Sequence, residues 1–374
     1  MWLKMIFSRN FFIHHLMHGS QIFPIFRKNC DVNYTEFDER SYVARFQKPE
    51  ENGNIKCTLC PHECTLREGH SGLCRTRKNI HGTLYSLSYG RPCSIDIDPI
   101  EKKPLFHFYP GSKILSLATA GCNFHCLNCQ NWQISQTSPQ NAHPYIEPIR
   151  IVNAALSQNI GSIAFTYTEP TVFYEYMYDI AQLAHEKNIK TVMVSNGFIN
   201  HDPLVELCPL INAANIDLKC FDEATYKKLT GGRLSTVLET LLTLKQQNVW
   251  LEITFLLIPE FNDDLEKIKK MCEWLVRNGF DDTPLHISRF FPAYKLSHLP
   301  PTPAELLLYA REIAKNSGIR YAYIGNVSHS ESENTYCPQC GNLLIERKGF
   351  SVTKNHIKDG RCSYCNRQIA GTWS

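Results

Sequence analysis

Between residues 113 and 326 the chain alternates short β-rich runs with amphipathic stretches of helical period, a pattern that few architectures accept. The runs KILSLATA, SIAFTYT, TVMVSN, ANIDLK, VWLEITFLLI and PLHISRFF, with YAYIG as a seventh, are rich in β-branched and aromatic residues. Each is apolar nearly throughout, as strands buried on both faces are. Helices are expected between them. TVFYEYMYDIAQLAHEKN sets Val172, Phe173, Tyr176, Ile180 and Leu183 on one face. NDDLEKIKKMCEWLVRNG does the same with Leu265, Ile268, Cys272, Leu275 and Val276, and Gly279 supplies a stop. TPAELLLYAREIAKNSG predicts a capping box, with Thr302 as N-cap, Pro303 in the first turn and Glu305 three residues on, and an end at Gly318.

Such alternation predicts an α/β fold: a parallel sheet with helices outside. Alternation alone leaves a barrel and an open sheet equally possible. In either, ligands bind at the carboxyl ends of the strands. Those ends are polar here. Three cysteines follow the first strand, TEP with Glu169 the second, and SNG with Asn196 the third. The fourth ends in Asp217 and Lys219, and the sixth carries His286, Ser288 and Arg289. Five such ends in succession predict a site.

The cysteines are Cys122, Cys126 and Cys129, spaced C-x3-C-x2-C. Three thiolates at this spacing can hold three irons of a cubane cluster and leave the fourth iron open, and an open coordination position is where a substrate or cofactor binds. A zinc site completed by His125 or another distant ligand is the alternative.

C-x3-C-x2-C is also the signature of the radical S-adenosylmethionine (SAM) enzymes. With CQNW, TYTEPTVFYEY, SNGF, NIDLKCF, IPEFND, HISRFFPAY, CTLCPHEC, DPIEKKPLFHFYPGS and CPQCG, the chain resembles the radical SAM enzymes of the AmmeMemoRadiSam system. These are relatives of the pyruvate formate-lyase activating enzymes, and the resemblance covers roughly residues 55–374. It implies a partial (β/α)6 TIM-like barrel with small cysteine-rich extensions at each end. The expected divisions are an extension at 1–50, a cysteine-rich region at 51–106, the radical SAM core at 107–328 and a CPxCG knuckle at 329–374. The resemblance also implies a four-iron four-sulfur cluster on Cys122, Cys126 and Cys129 whose free iron chelates SAM. One electron then splits SAM into methionine and a 5′-deoxyadenosyl radical that abstracts hydrogen from a substrate. The implied partners are SAM, an electron donor of flavodoxin or ferredoxin type, and a substrate for which the relation to activating enzymes suggests a glycyl position on a protein, with a peptide or small molecule left open.

Residue by residue, Glu169 corresponds to the acidic residue of the motif that receives the SAM amino group, which suits an ammonium. Asn196 and Asp217 would face the ribose hydroxyls or the methionine end. Lys219 would pair with the SAM carboxylate, and His286 matches a SAM-side histidine. Three positions depart from the family. Tyr167-Thr168 stands where Gly-Gly is usual. Asn128 replaces the aromatic residue near the adenine, which leaves Trp132 or Phe165 to pack there. Glu252 lies near the position at which the activating enzymes offer an arginine.

Two further cysteine groups flank this core. Cys337, Cys340, Cys362 and Cys365 form C-x2-C-x21-C-x2-C, a closed four-thiolate set for structural zinc or a single iron. So small a module depends on its metal to fold. Cys57, Cys60, Cys64 and Cys74 form C-x2-C-x3-C-x9-C, which can hold zinc, a second iron–sulfur cluster, or no metal as reduced thiols. Cys30, Cys93, Cys208, Cys220 and Cys272 read as scattered core or surface residues. Sixteen cysteines in tight groups suit metal ligation in a reducing compartment, the cytoplasm, better than cross-linking.

Charge excludes some classes. A formal net charge of +3 over 374 residues gives no basis for nucleic-acid binding, which needs concentrated lysine and arginine. The first thirty residues carry Lys4, Arg9, Arg27 and Lys28 and no acid before Asp31. They read as a targeting leader, a mobile extension or the product of an upstream start, and no apolar run there reaches the length of a membrane span. The competing functional class is a zinc-knuckle interaction protein with a non-catalytic barrel, which would be colourless.

Overall fold

The computed structural model describes residues 42–139, 144–327 and 331–373. The expected leader or extension at residues 1–30, with Cys30, lies outside the described residues.

One eight-stranded sheet organises the chain. Its strands are β1 (Pro92–Pro99), β2 (Lys113–Thr119), β3 (Ser162–Phe165), β4 (Lys190–Ser195), β5 (Ala213–Asp217), β6 (Trp250–Leu257), β7 (Leu285–Arg289) and β8 (Ala322–Gly325). Strands β2 to β8 run parallel, and each lies beside its predecessor in sequence. Leu117 pairs with Phe165 and Phe165 with Met193; Asn215 pairs with Glu252, and Thr254 with His286. A doubly wound sheet would reverse its order part-way. This one adds strands in a single direction, and β1 and β8 stand unpaired with each other at its two edges, so it is an open partial barrel.

Helices follow each of β2 to β7, giving six β/α units. They are α1 (Pro148–Ser157), α2 (Tyr174–Glu186), α3 (His201–Leu207), α4 (Glu223–Thr230), α5 (Leu234–Gln246), α6 (Leu265–Arg277) and α7 (Ala304–Asn316). The strands contribute fully buried Leu115, Leu117, Ile163, Phe165 and Ile216 to the main core, each stabilising it by roughly 1.5–3 kcal/mol. Among the described residues no helix is long and apolar enough to cross a membrane.

All seven expected strands form. The edge strand β1 was not among them, and it precedes the expected core boundary at 107. It pairs antiparallel with β2, and its prolines suit an edge. The capping box expected at Thr302 does not form. Pro303 is the N-cap of α7, while the Thr302 hydroxyl donates to the Leu257 carbonyl at 2.5 Å and accepts from the Phe290 N–H at 3.1 Å. Thr302 thereby joins the ends of β6 and β7. Gly279 and Gly318 do terminate α6 and α7, with φ of 77° and 107°.

The flanking regions pack on this body. At the front, short antiparallel strands at Gln47–Pro49, Ile55–Cys57 and Thr65–Leu66 form one small sheet, and Ile55, Cys57 and Leu59 join the main core. At the far end, Leu343–Lys348 lies between Thr335–Tyr336 and Ser351–Asn355. This knuckle shares a separate small core with Phe106, Tyr321 and Tyr323. Arg347 fastens it there: Nη2 donates to the Phe106 carbonyl at 2.7 Å, and the guanidinium lies 4.2 Å from the Phe106 ring.

Candidate active site

The loop after β2 carries Cys122, Cys126 and Cys129, and several backbone bonds seat it. The His125 and Leu127 N–H groups donate to the Thr230 and Leu229 carbonyls, both at 3.0 Å. The seat requires two glycines. A Cβ on Gly231 would lie 2.3 Å from the His125 ring, and one on Gly232 would lie 2.2 Å from Phe124. GGR at 231–233 follows helix α4 and not a strand, so it is no phosphate loop. Its use is close approach, a role that single-sequence reading carries no signal for.

The sulfurs are held by donors. The Phe124 N–H reaches Cys122 Sγ at 3.3 Å, Asn196 Nδ2 reaches the same sulfur at 3.9 Å, and the Ser135 hydroxyl lies 3.1 Å from Cys129 Sγ. Burial pushes the Cys122 thiol well above its usual pKa and that of Cys126 up to about 12. Among the described residues, only the C-terminal cysteine group draws three or more ligand atoms within 4.8 Å of one another. The Cys122, Cys126 and Cys129 sulfurs are spread more widely, which fits the corners of a multi-iron cluster and not a single zinc. His125, the fourth ligand of the zinc alternative, is exposed.

Strand ends surround the loop. Glu169 ends the turn after β3 and caps the short helical turn at Pro170–Phe173. Its Oε1 accepts from the Thr171 N–H at 3.0 Å and the Thr171 and Ser195 hydroxyls at 2.7 Å, and its Oε2 from the Asn196 N–H at 2.8 Å. Burial raises its pKa, opposed by these donors. Oε2 keeps a lone pair, since a carboxylate offers about four acceptor sites. Asn196 donates to Asn123 Oδ1 at 2.9 Å and so touches the cysteine loop directly. Lys219 pairs with Asp217 at 2.8 Å. Burial opposes the Lys219 charge, but Asp217 and Cys126 together raise its pKa.

Two buried polar atoms in this neighbourhood have no protein partner: Asn128 Oδ1, beside Cys129, and the Tyr226 hydroxyl. Tyr226 is close enough to Lys219 and Cys126 for both to act on its titration. A buried polar atom left unpaired costs roughly 1–3 kcal/mol, so both atoms fit a site that a polar ligand completes. Sequence reading had not singled out Tyr226, because a tyrosine at helical spacing looks like core.

The turn that replaces Gly-Gly keeps a glycine-like shape. Tyr167 sits at φ 63°, a left-handed conformation costly for a bulky residue. Its hydroxyl donates to Asp98, and its carbonyl accepts from Asn131 Nδ2 at 2.5 Å. Asp98 is further held by Lys103 at 2.5 Å and Lys102 at 2.8 Å. Burial would raise the Asp98 pKa, but Lys103 more than reverses this and holds it below the usual range.

Two expected residues stand apart. His286 is the second residue of β7, and its Nε2 lies 2.6 Å from Glu252 Oε2. The Glu252 carboxylate also accepts from the Phe106 and His107 N–H groups at 2.9 and 2.7 Å. The His286 imidazole is thus engaged by a buried carboxylate, while its strand position is level with Thr254 and Asp217 across the sheet. Phe165 is fully buried and packs edge-on to Phe173, so it is not free for a ligand. Trp132 is 41% exposed and stacks on Tyr294 at 5.2 Å.

Residues 116–275 match the Radical SAM superfamily model, a span from β2 into α6 that holds the three cysteines and three further polar strand ends. The uncharacterized protein MJ0808 of Methanocaldococcus jannaschii is 45% identical over 330 residues, covering 87% of this chain and 98% of that protein. The chain belongs to the radical SAM superfamily. It is similar to the pyruvate formate-lyase 1-activating enzyme of Escherichia coli K12, 22% identical over 44% of this chain and 69% of that enzyme. It is also similar to the 4-hydroxyphenylacetate decarboxylase activating enzyme of Clostridioides difficile, 23% identical over 41% of this chain and 52% of that enzyme. The chain is therefore a radical SAM enzyme related to activating enzymes, and the superfamily implies a four-iron four-sulfur cluster and SAM as its cofactors.

Proposed function

We propose that Cys122, Cys126 and Cys129 hold the open-site cluster, and that this enzyme belongs to the AmmeMemoRadiSam group. It takes a hydrogen atom from a glycyl position of a partner protein, as the activating-enzyme relatives suggest. When bound, cluster and SAM supply a one-electron cleavage of the sulfonium that yields an adenosyl radical. The protein's part is to place and enclose. Glu169 Oε2 offers its remaining lone pair to an ammonium, and Lys219, turned toward Cys126 and balanced by Asp217, offers its charge to a carboxylate. Asn196 keeps the cysteine loop at fixed distance from the end of β4, and Tyr226 and Asn128 offer their unpaired polar atoms. Trp132 is the aromatic surface left for the adenine.

The observation that carries this reading is the meeting of one buried and two half-buried thiols with the Asp217–Lys219 pair and two unpartnered polar atoms at the carboxyl ends of a parallel sheet. It is tested with anaerobic protein, dithionite and SAM, by assaying 5′-deoxyadenosine and iron together. Cys126→Ala should abolish release of the nucleoside and lower bound iron while leaving the fold intact. Wild-type protein with a fully loaded cluster that released none would refute the proposal.

The C-terminal quartet is a separate proposal, one zinc or one iron ion. Cys337 and Cys365 sulfurs lie 3.6 Å apart, and those of Cys340 and Cys362 lie 3.7 Å apart. A tetrahedron with metal–sulfur bonds of about 2.3 Å has edges of about 3.8 Å.

A further inference from the structure

The four front cysteines, Cys57, Cys60, Cys64 and Cys74, line one cavity together with Gly72, Arg77 and Asn123. Local structure brings them there. Cys57 ends its strand and its N–H donates to the Cys64 carbonyl at 3.0 Å, closing a loop that carries Cys60. A second turn, with the Arg75 N–H on the Gly72 carbonyl at 2.8 Å, presents Cys74. Gly72 leaves room between two of the sulfurs, since a Cβ there would already sit 3.7 Å from both Cys64 Sγ and Cys74 Sγ. The sulfurs have donors: Arg77 Nη1 reaches Cys57 Sγ at 3.4 Å and the Thr76 hydroxyl reaches Cys74 Sγ at 3.2 Å. Arg77 is itself 1% exposed and is paired with Glu175, so a cation is built in beside a cluster of potential anions.

Spacing distinguishes the candidate occupants. A single tetrahedral ion draws all four sulfurs together, as the C-terminal quartet does. Among the described residues no second group of three or more ligand atoms lies within 4.8 Å. The front four sulfurs are set wider apart, as a four-iron four-sulfur cubane requires, whose four irons occupy alternate corners and each take one thiolate.

This cavity also adjoins the cluster loop after β2. Asn123, the residue after Cys122, lines it, and His62 Nε2 lies 2.8 Å from the Asn123 carbonyl. Gly121, the residue before Cys122, is packed so tightly that a Cβ on it would lie 2.7 Å from the Cys74 carbonyl oxygen. A ligand of one group and a ligand of the other are thus separated by a single glycine.

We propose that Cys57, Cys60, Cys64 and Cys74 hold a second four-iron four-sulfur cluster, which passes single electrons to the SAM-binding one. A reduced low-potential carrier protein of flavodoxin or ferredoxin type gives up one electron and is oxidised by one. The front cluster is reduced and then reoxidised as the electron moves on, and no atom changes hands. The relay rests on the radical SAM reading above, but the occupancy of the front site does not.

Iron, sulfide and zinc are measured on anaerobic wild-type protein and on a variant with Cys122, Cys126 and Cys129 all changed to alanine. The variant should retain about four irons and four sulfides, with a reduced-cluster electron paramagnetic resonance signal. In dithionite-reduced wild-type protein the two neighbouring paramagnets should broaden each other, and the variant signal should be sharper. A variant holding zinc and no iron would overturn the proposal while leaving the SAM-cleaving reading intact. Iron in the variant with no 5′-deoxyadenosine from loaded wild-type protein would do the reverse. Cys60→Ser/Cys64→Ser should lose reduction of the SAM-binding cluster by reduced flavodoxin and keep reduction by dithionite. Unchanged reduction by flavodoxin would remove the relay.

Discussion

Asn196 donates from Nδ2 to Asn123 Oδ1 at 2.9 Å, so that the end of β4 holds the cysteine loop that follows β2. The same side chain accepts from the Phe198 N–H at 2.8 Å, and its own N–H serves Glu169. Asn196→Ala strands Asn123 Oδ1 and the Phe198 N–H in a buried place. The expected loss is about 1–3 kcal/mol for the unpaired groups. Iron content should hold, because the three cysteines remain, whereas SAM affinity should fall. Thermal unfolding and titration calorimetry with SAM check both, and wild-type affinity in the variant would show that this tether does not shape the site.

Gly121 tests the contact between the front region and the cluster loop. It sits at φ 99°, and an added Cβ would meet Thr76 Cγ2 at 2.3 Å and the Cys74 carbonyl oxygen at 2.7 Å. Backbone cannot yield as a flexible side chain does. Gly121→Ala is expected to destabilise by about 1–3 kcal/mol through strain and overpacking. It should also separate the two cysteine groups, which electron paramagnetic resonance on the reduced protein would register as a loss of mutual broadening.

The parts of this molecule that could be read in its sequence are those governed by local rules. Continuous apolar runs gave seven strands, and glycines 279 and 318 gave two helix ends, because burial on both faces and left-handed φ leave a compositional trace. Cysteine spacing marked three groups, of which the structure gathers the C-terminal four within 4.8 Å and sets the front four round one cavity. Thr302 misled, since its hydroxyl found a better partner in the Leu257 carbonyl than in its own helix. Tyr226 and the Gly231–Gly232 seat were invisible, being defined only by what folds against them. Tyr167 shows the opposite case: a departure from Gly-Gly that leaves the turn unchanged, because Asp98 anchors the tyrosine in a glycine conformation.

Acid should loosen the join between core and knuckle through His107. Its Nδ1 lies 2.7 Å from the Ala370 carbonyl, which can only accept, so the proton sits on Nδ1 and Nε2 accepts from the Tyr323 hydroxyl at 2.5 Å. The ring is thus held neutral, and burial pushes its pKa down from 6.5 to about 4. Between those values the unfolded chain binds the proton and the folded one does not, so stability rises with pH across this window. Taking pH from 7 down to 4 should therefore remove about 3 kcal/mol attributable to this group. Urea midpoints measured over that range should fall less steeply in His107→Gln than in wild-type protein, and equal slopes would contradict the assignment.

Metal removal should act on the knuckle and on the short segment it packs against. Its shared core with the barrel is small, built on Leu344, Ile345 and Ile369 against Phe106, Tyr321 and Tyr323, so the sulfur cage must contribute much of its stability. Within the cage the Asn342 N–H draws the Cys340 thiol down to about 6, while the Arg367 N–H on the Cys365 thiol is outweighed by the neighbouring sulfurs, which push it up to about 12. Cys337→Ser should lose one zinc or iron per chain and expose the Leu343–Lys348 and Ser351–Asn355 strands to hydrogen exchange and protease. The main sheet has its own core and should keep its protection. Arg347 couples the two through Phe106, so faster exchange should also reach the Phe106 and His107 amides, which are bonded to Glu252. Protection unchanged throughout the knuckle after metal loss would show that its fold does not depend on the ion.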